Sequence, residues 1–406
     1  MKKFFKYAMM AVATVAAMTF TACSDDDDEV KNYPLTITFN APSDVNASNI
    51  SNIKVIVKGT AGADTVTMNS LASQTLTLTQ GTYDITVSGK VIDEATAYVQ
   101  GTVTAELFEE KSVAVNLSKY NKSPLVFKTL HTTGSALYYV LDSYLEIANN
   151  SDEVQYLDGL ILAAPLGNLK AQSVWQTAFP DKYQTGGLNG IILAFPGTGK
   201  DYPLQPGEFI VMADQALNHK TAYDEDADAD LKAQYAKAPD LSKANFEKYF
   251  GNGDIDNPDV PNMEIVLRSN KYMKMWAFGA AGRAYMLAKL PEGMTWQQFV
   301  ADESNYEAQP NTESEANTLM IPSKYILDAV DIYMNGVDAA DNYPFFLAKD
   351  DAKGIEGNES YSSLCVRRKV EKIENGRVYY KDTNRSADDF KRAQDNTPGV
   401  TPTAVD

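Results

Sequence analysis

From Leu35 the chain alternates apolar and polar residues in short runs: LTITF (35–39), IKVIVKG (53–59), TVTM (65–68), QTLTLT (74–79), YDITVSG (83–89), ATAYVQGTVTAEL (95–107) and KSVAVNL (111–117). Gly, Asn, Asp and Ser punctuate them. Successive side chains of a strand point to opposite faces, so period-two patterning rich in Thr, Val, Ile and Tyr predicts strands with one buried face. Strands of this length and spacing predict an antiparallel β-sandwich over residues 33–119, followed by a linker from Lys119 to Pro124.

Beyond Leu125 the pattern is interrupted. Apolar strand-like segments remain, but residues 215–262 and 290–360 break them with acids, aromatics and helical spacing. The first break holds a predicted helix over Asp228–Phe250, carrying Leu231, Tyr235, Leu241, Phe246 and Phe250. The second holds a predicted short helix around Thr295–Ala301 and then a polar loop. Residues 125–400 therefore read as a second, mainly β domain with two helical insertions.

The N-terminus is of a different kind. Lys2, Lys3 and Lys6 precede an apolar stretch from Ala8 to Phe20, and Thr21 and Ala22 precede Cys23. A basic start, a short apolar core and small residues make a signal peptide over residues 1–22, too short for the roughly 20 apolar residues of a membrane span. Phe20-Thr21-Ala22-Cys23 resembles the lipobox of bacterial lipoproteins, which implies that Cys23 becomes the lipidated N-terminus. Ser24, Asp25, Asp26, Asp27, Asp28 and Glu29 follow it. Consecutive carboxylates repel one another and resist burial, so residues 23–32 read as an extended acidic tether. The run also resembles the export signal of Bacteroidetes lipoproteins, which implies display on the outer face of the outer membrane.

Charge narrows the partners. Loss of Lys2, Lys3 and Lys6 on cleavage takes the formal charge from −18 to −21. Such a surface repels nucleic acid, which excludes it as a partner. With Cys23 acylated, Cys365 remains as the other cysteine, so an intrachain disulfide is excluded and Cys365 is expected to be a small buried residue.

Two resemblances concern fold. Gly81-Thr82-Tyr83-Asp84-Ile85-Thr86-Val87 resembles a hairpin of carboxypeptidase-regulatory and other transthyretin-like sandwiches, placing the first domain among Ig/transthyretin-like folds. In the second domain, residues 144–162 with Glu146-Ile147-Ala148-Asn149, the Pro206-Gly207 turn within 204–213, Ser363–Arg368, and Asp382–Phe390 with Thr397-Pro398-Gly399 resemble lamin-tail domains, in the same order. The combination resembles an uncharacterised Bacteroidetes surface lipoprotein family with a lamin-tail-like C-terminal domain.

Candidate chemistry is sparse. Gly197-Thr198-Gly199-Lys200 lacks the glycine a phosphate loop needs at Ala194 and the hydroxyl it needs at Asp201, so it reads as a turn and nucleotide is excluded. No Gly-x-Ser-x-Gly elbow occurs. His131 reads as a strand end and His219 as exposed loop, and no catalytic residue is assigned. Asp254, Asp256 and Asp259 in the loop Asn252–Asp259 are the acids whose spacing suits calcium, although Ile265 stands where a bidentate Glu belongs and a solvated loop is the favoured reading. Asp382-Thr383-Asn384 and Asp388-Asp389 read as a turn before the last strand, with Arg367 and Arg368 as partners in a sheet-edge clamp.

The aromatics Tyr223, Tyr235, Phe246, Tyr249, Phe250, Tyr272, Trp276 and Trp296 lie in or beside the insertions, most of them expected in the core. The sequence thus implies a non-catalytic outer-membrane lipoprotein that binds an extracellular ligand or partner, as an accessory to a nutrient transporter. A glycan-binding or adhesion module is the first rival, favoured by exposed Tyr or Trp on a concave face. A hydrolase with a carboxylate pair is the second, favoured by two acids facing across a cleft. The insertion 215–262 is expected to carry the binding site and to be removable.

Overall fold

The alternation over residues 33–119 becomes two face-to-face sheets. A computed structural model describes residues 31–406 apart from 60–61, 69, 93, 95–96, 187–190, 252, 269–271, 273–274, 277–278 and 314–316; the signal segment, Cys23, Ser24 and Asp25–Asp28 lie outside the described residues. One sheet of the first unit has the order Gln74–Thr79, Asn32–Asn40, Lys111–Asn116, with the second pair parallel. The other runs Gly62–Met68, Ile50–Gly59, Gly81–Val91, Ala97–Leu107, Ser118–Asn121. Leu35 and Ile37 meet Val55, Val57, Ile85, Val87 and Val99 in its core. At Gly101 a side chain would stand 2.3 Å from the Asn116 carbonyl, so only glycine lets the strand pass beneath its neighbour there. Lys119–Asn121, expected as linker, belong to the last strand, which pairs with Ala97–Gln100.

The second unit is also a sandwich. Its first sheet has the order Phe246–Glu247, Phe209–Ala213, Tyr144–Asn149, Leu125–His131, Leu364–Arg368, Phe390–Asp395. Its second has Glu264–Arg268, Ile191–Ala194, Ile161–Ala163, Arg283–Ala288, Ile326–Tyr333, Ile355–Glu356. Phe127, Leu145, Ile147 and Met212 of the first sheet interdigitate with Leu162, Leu193, Phe195, Leu287 and Val330 of the second. Both sheets are covered on their outer faces as well: Val126 and Ala148 by the hairpin of Val370–Glu374 and Arg377–Tyr380, and Ala163, Ala194 and Ala284 by Tyr183, Leu319, Phe299 and Phe345. Double coverage explains why Leu125–His131 is buried at all seven positions instead of alternating. The four sequence blocks contribute Tyr144–Asn149, Phe209–Ala213, Leu364–Arg368 and the start of Phe390–Asp395 to the first sheet, and the first block also supplies Ile161 and Leu162 to the second.

Both proposed insertions prove to be integral. The helix expected over Asp228–Phe250 is Ala229–Tyr235, capped by Asp228, whose side chain accepts from the Leu231 amide at 2.8 Å. Pro239 disfavours helical geometry at Ala238 and has no amide to continue the ladder, so the helix stops before it. The chain then returns to the sheet as Phe246–Glu247, with Phe246 edge-on to Phe195 and Tyr202 at 5.0 Å each. In residues 290–360 the helix Trp296–Ala301 forms as expected, with a capping box from Thr295 and Gln298. The same region supplies Ile326–Tyr333, between Arg283–Ala288 and Ile355–Glu356 in the second sheet. Asp328 and Asp331 interrupt that strand's apolar pattern, and both are buried. Among the described residues no helix is long and apolar enough to cross a membrane.

Candidate functional site

Several motifs resolve into structural ties. The loop at Gly197–Asp201 holds a carboxylate of its own: Asp158 accepts from the amides of Gly199, Asp201 and Tyr202 at 2.8–2.9 Å. Burial opposes the charge, yet these amides hold Asp158 below the ordinary carboxylate range. An internal acid therefore fills the nest a phosphate would use.

His131 does end its strand, as expected, and Ser135 and Asp142 surround it. The geometry is not that of a catalytic triad. Ser135 Oγ and Asp142 Oδ2 both approach Nε2, at 3.4 and 3.5 Å, while Nδ1 faces the Leu364 carbonyl at 3.2 Å. A relay needs the acid on one ring nitrogen and the nucleophile on the other. His131 and Asp142 are also fully buried. His219, expected in an exposed loop, is buried too: its ring bridges the Tyr139 hydroxyl at 2.6 Å and the Gln215 carbonyl at 2.9 Å. Burial holds its pKa down.

The acids of the calcium reading point to different partners. Asp254 accepts from Lys248 Nζ at 2.9 Å and Gln215 at 2.7 Å, whereas Asp256 accepts from Asn262. Asp259 is exposed. Among the described residues no group of three or more His, Cys, Asp or Glu is placed to hold a metal ion. Lys248 is fully buried and also reaches Asp214 at 3.3 Å, which locks the segment to the sheet.

Arg368 is a core tie and not a sheet-edge clamp. Its strand lies between Leu125–His131 and Phe390–Asp395. The guanidinium meets Asp328 at 2.5 Å, Asp382 at 3.4 Å and Asp389 at 3.8 Å, donates to the Phe127 carbonyl at 2.7 Å, and lies over the Phe390 ring. Burial raises the pKa of all three acids against the pull of Arg368, to about 6 for Asp382 and Asp389. Asp389 also accepts from the Thr383 amide and hydroxyl, so the expected turn before the last strand forms. Arg367 pairs instead with Asp406. Asp351 is tied likewise, to Ser386 and the Asp331 amide, and burial pushes it up to about 8. These acids satisfy internal donors and do not face one another across a cleft.

The feature that internal packing leaves unexplained is a cleft of about 570 Å³ at one end of the second sandwich, lined by Leu137, Gln234, Met334, Asn335, Asn358, Glu359, Ser360 and Tyr361. Tyr138 stands beside it, its ring edge-on to that of Tyr361 with centroids 6.0 Å apart. Tyr138 is 84% exposed and Leu137 52%. Both tyrosines take left-handed backbone conformations, φ 64° and 61°. For a bulky side chain that costs about 1–2 kcal/mol, and it persists where the surroundings enforce it.

The enforcement is visible. The Tyr361 amide donates to the Thr133 carbonyl at 2.8 Å and the Ser363 amide to Gly134 at 3.2 Å. Ser363 Oγ donates to the Lys237 carbonyl, and the Leu137 amide to Gln234 Oε1 at 3.0 Å. Gly134, at φ 76°, brings its backbone so near the Tyr139 carbonyl that a side chain would stand 2.3 Å from it. Three segments distant in sequence are thus laced together to present two strained, adjacent tyrosines.

The aromatics singled out from sequence are elsewhere. Phe246 and Trp276 are core, Tyr235 is buried against Tyr139, and Trp296 donates to Glu264. Tyr272 is exposed. The signal for the cleft was Ala136-Leu137-Tyr138-Tyr139 directly after Thr133-Gly134-Ser135, an apolar cluster that no strand periodicity buries.

No curated protein matches the chain. A crystal structure of a DUF4876 family protein from Bacteroides thetaiotaomicron is similar at 26% identity and TM-score 0.58, over 92% of this chain and 98% of that one. A DUF3823 family protein from Parabacteroides merdae (12% identity, TM-score 0.17, 42% of this chain and 78% of that one) and the fimbrial anchor protein Mfa2 from Porphyromonas gingivalis (10%, 0.18, 44% and 66%) superpose too poorly to carry an argument. Residues 205–397 match the family described as Protein of unknown function (DUF4876), so the chain resembles, in sequence there and in fold throughout, an uncharacterised Bacteroidetes family.

Proposed function

We propose that this chain is a non-catalytic binding protein, held on the outer face of an outer membrane by lipid on Cys23, that takes an extracellular glycan in the cleft beside Tyr138 and Tyr361 and serves an outer-membrane transporter. One observation carries the binding reading: an exposed tyrosine, Tyr138, and a half-buried one, Tyr361, are kept in strained backbone conformations beside a cleft, although neither buries its ring in a core. Strain that stability does not require points to function. The chemistry of the lining favours a saccharide. Tyrosine rings offer flat apolar faces at small entropic cost, and Asn335, Glu359 and Ser360 offer side chains that exchange hydrogen bonds with hydroxyls. The cleft volume suits a ligand of a few sugar rings.

The test of binding is a glycan array probed with the wild-type mature protein and with Tyr138→Ala. A glycan retained by the wild type and lost by the variant supports the reading. Absence of any retained glycan, or equal retention by both, counts against it. The anchor is tested separately: Cys23→Ser releases the protein from the membrane fraction, and persistent membrane association would remove the lipid anchor from the account.

A further inference from the structure

A second cavity, which shares no lining residue with the tyrosine cleft, lies where the two units meet. It measures about 560 Å³, within the range of small-molecule sites. Its floor is the outer face of the five-stranded sheet of the first unit. Two cross-strand rows lie there: Ile56 pairs with Thr86 and Thr86 with Thr102, and Lys58 pairs with Asp84 and Asp84 with Thr104. The facing wall comes from the second unit, with Lys353, Lys381, Arg385 and Asp388.

The charge balance of this cavity opposes that of the chain. Arg385 is answered by Asp388 at 2.7 Å, and it donates to Thr102 Oγ1 at 3.0 Å. Lys381 is held by a carbonyl, that of Asp388, at 3.0 Å. Among the described residues Lys58 and Lys353 have no carboxylate partner, and both are exposed. Three ammonium groups thus stand against the one remaining carboxylate, Asp84, which accepts from Thr104 at 2.8 Å. In a chain of net charge −18, this is a local excess of positive charge. Like charges gathered without partners cost stability, and an anion placed among them recovers it.

The neighbouring cavity narrows the class of anion. It shares Thr102, Ala352 and Arg385 with the first and is also lined by Gln100, whose buried Oε1 has no hydrogen-bond partner among the described residues. A buried acceptor of this kind requires a donor. Inorganic phosphate or sulfate offers little to Gln100 Oε1 or Asp84, whereas a sugar acid brings hydroxyl donors and a carboxylate together.

We infer that the groove between the two units, floored by Lys58, Asp84 and Thr104 and walled by Lys353, Lys381 and Arg385, is a binding site for an acidic saccharide. The site is independent of the tyrosine cleft, and its failure leaves the cleft untouched. The probe is digalacturonate, with galactobiose as its uncharged counterpart, titrated calorimetrically into the mature two-unit protein. Digalacturonate binds and galactobiose does not. The Lys58→Gln/Lys353→Gln variant melts no lower than the wild type, because both ammoniums are exposed and their removal only relieves repulsion, and it binds about tenfold more weakly, the sum of two exposed ion pairs. Tyr138→Ala leaves this affinity unchanged. The assignment is overturned by absence of digalacturonate binding, by equal binding of galactobiose, or by a double variant that folds and binds as tightly as the wild type.

Discussion

Replacing Arg368 with Met probes the tie between the two sheets of the second unit. Arg368 is 1% exposed and is the one cation that Asp328, Asp382 and Asp389 share among the described residues. Methionine fills part of the volume but leaves three buried carboxylates without their shared cation and the Phe127 and Lys381 carbonyls without the guanidinium donor. Breaking a buried pair by removing one partner costs about 3–5 kcal/mol, and each orphaned carbonyl adds about 1 kcal/mol or more. The cost depends on pH. Asp382 and Asp389 are already raised to about 6 with the guanidinium present, and its removal raises them further. A carboxyl whose folded pKa lies above its unfolded value of about 4 stabilises fully below pH 4, and this contribution is lost as pH rises through the folded pKa. The variant should therefore lose about 5 kcal/mol at pH 7.5 and about half of that at pH 5. Urea unfolding of both proteins at the two pH values measures this. A loss below 1 kcal/mol, or an equal loss at both pH values, would refute the argument that a buried cation balances these acids.

Other predictions use the same structure. Asp214, Asp331, Asp382 and Asp389 are raised to about 6 and Asp351 to about 8, all by burial first. Thermal melting should therefore be higher at pH 5 than at pH 8 by about 5 °C or more. Below pH 4 it should fall, as Asp142 and Asp158, held low by their partners, take up protons. Tyr138→Gly should be more stable than Tyr138→Ala by about 1 kcal/mol, because glycine alone adopts φ 64° without penalty, while both lose the ligand; equal stability would remove the strain from the account. Replacing Asp224–Asn262 with a short Gly/Ser bridge should abolish the cooperative transition, since Phe246 and Lys248 leave the core with it, and a transition near that of the parent would show the segment to be peripheral.

Legibility in the sequence followed the physics of each element. The first sandwich could be read because its strands bury one face, so Leu35, Val55, Ile85 and Val99 recur at period two. The first sheet of the second unit was legible through its turns, at Asn149–Asp152 and Pro206-Gly207. Ile326–Tyr333 was hidden because Asp328 and Asp331 are buried acids whose partners, Arg368 and the amides of Phe127 and Phe345, come from elsewhere in the chain. Pro239 was a visible stop that the spacing of Leu231, Tyr235, Leu241 and Phe246 outweighed, and it shortened the helix. His219 was assigned to solvent because nothing local shows that Tyr139 and Gln215 enclose it. The cleft escaped for a similar reason: Leu137, Gln234 and Tyr361 share it only after three segments are tied by backbone and side-chain hydrogen bonds, and a left-handed tyrosine has no sequence signature.

The central claim is that the strained tyrosine pair exists to hold a saccharide. A crystal of the mature protein soaked with a glycan selected on the array tests it most directly. The account predicts a sugar ring against the faces of Tyr138 and Tyr361, with hydroxyls within hydrogen-bond distance of Asn335 or Glu359 and both backbones still left-handed. Density for the saccharide elsewhere on the molecule, with the cleft between Leu137 and Tyr361 empty, would contradict it.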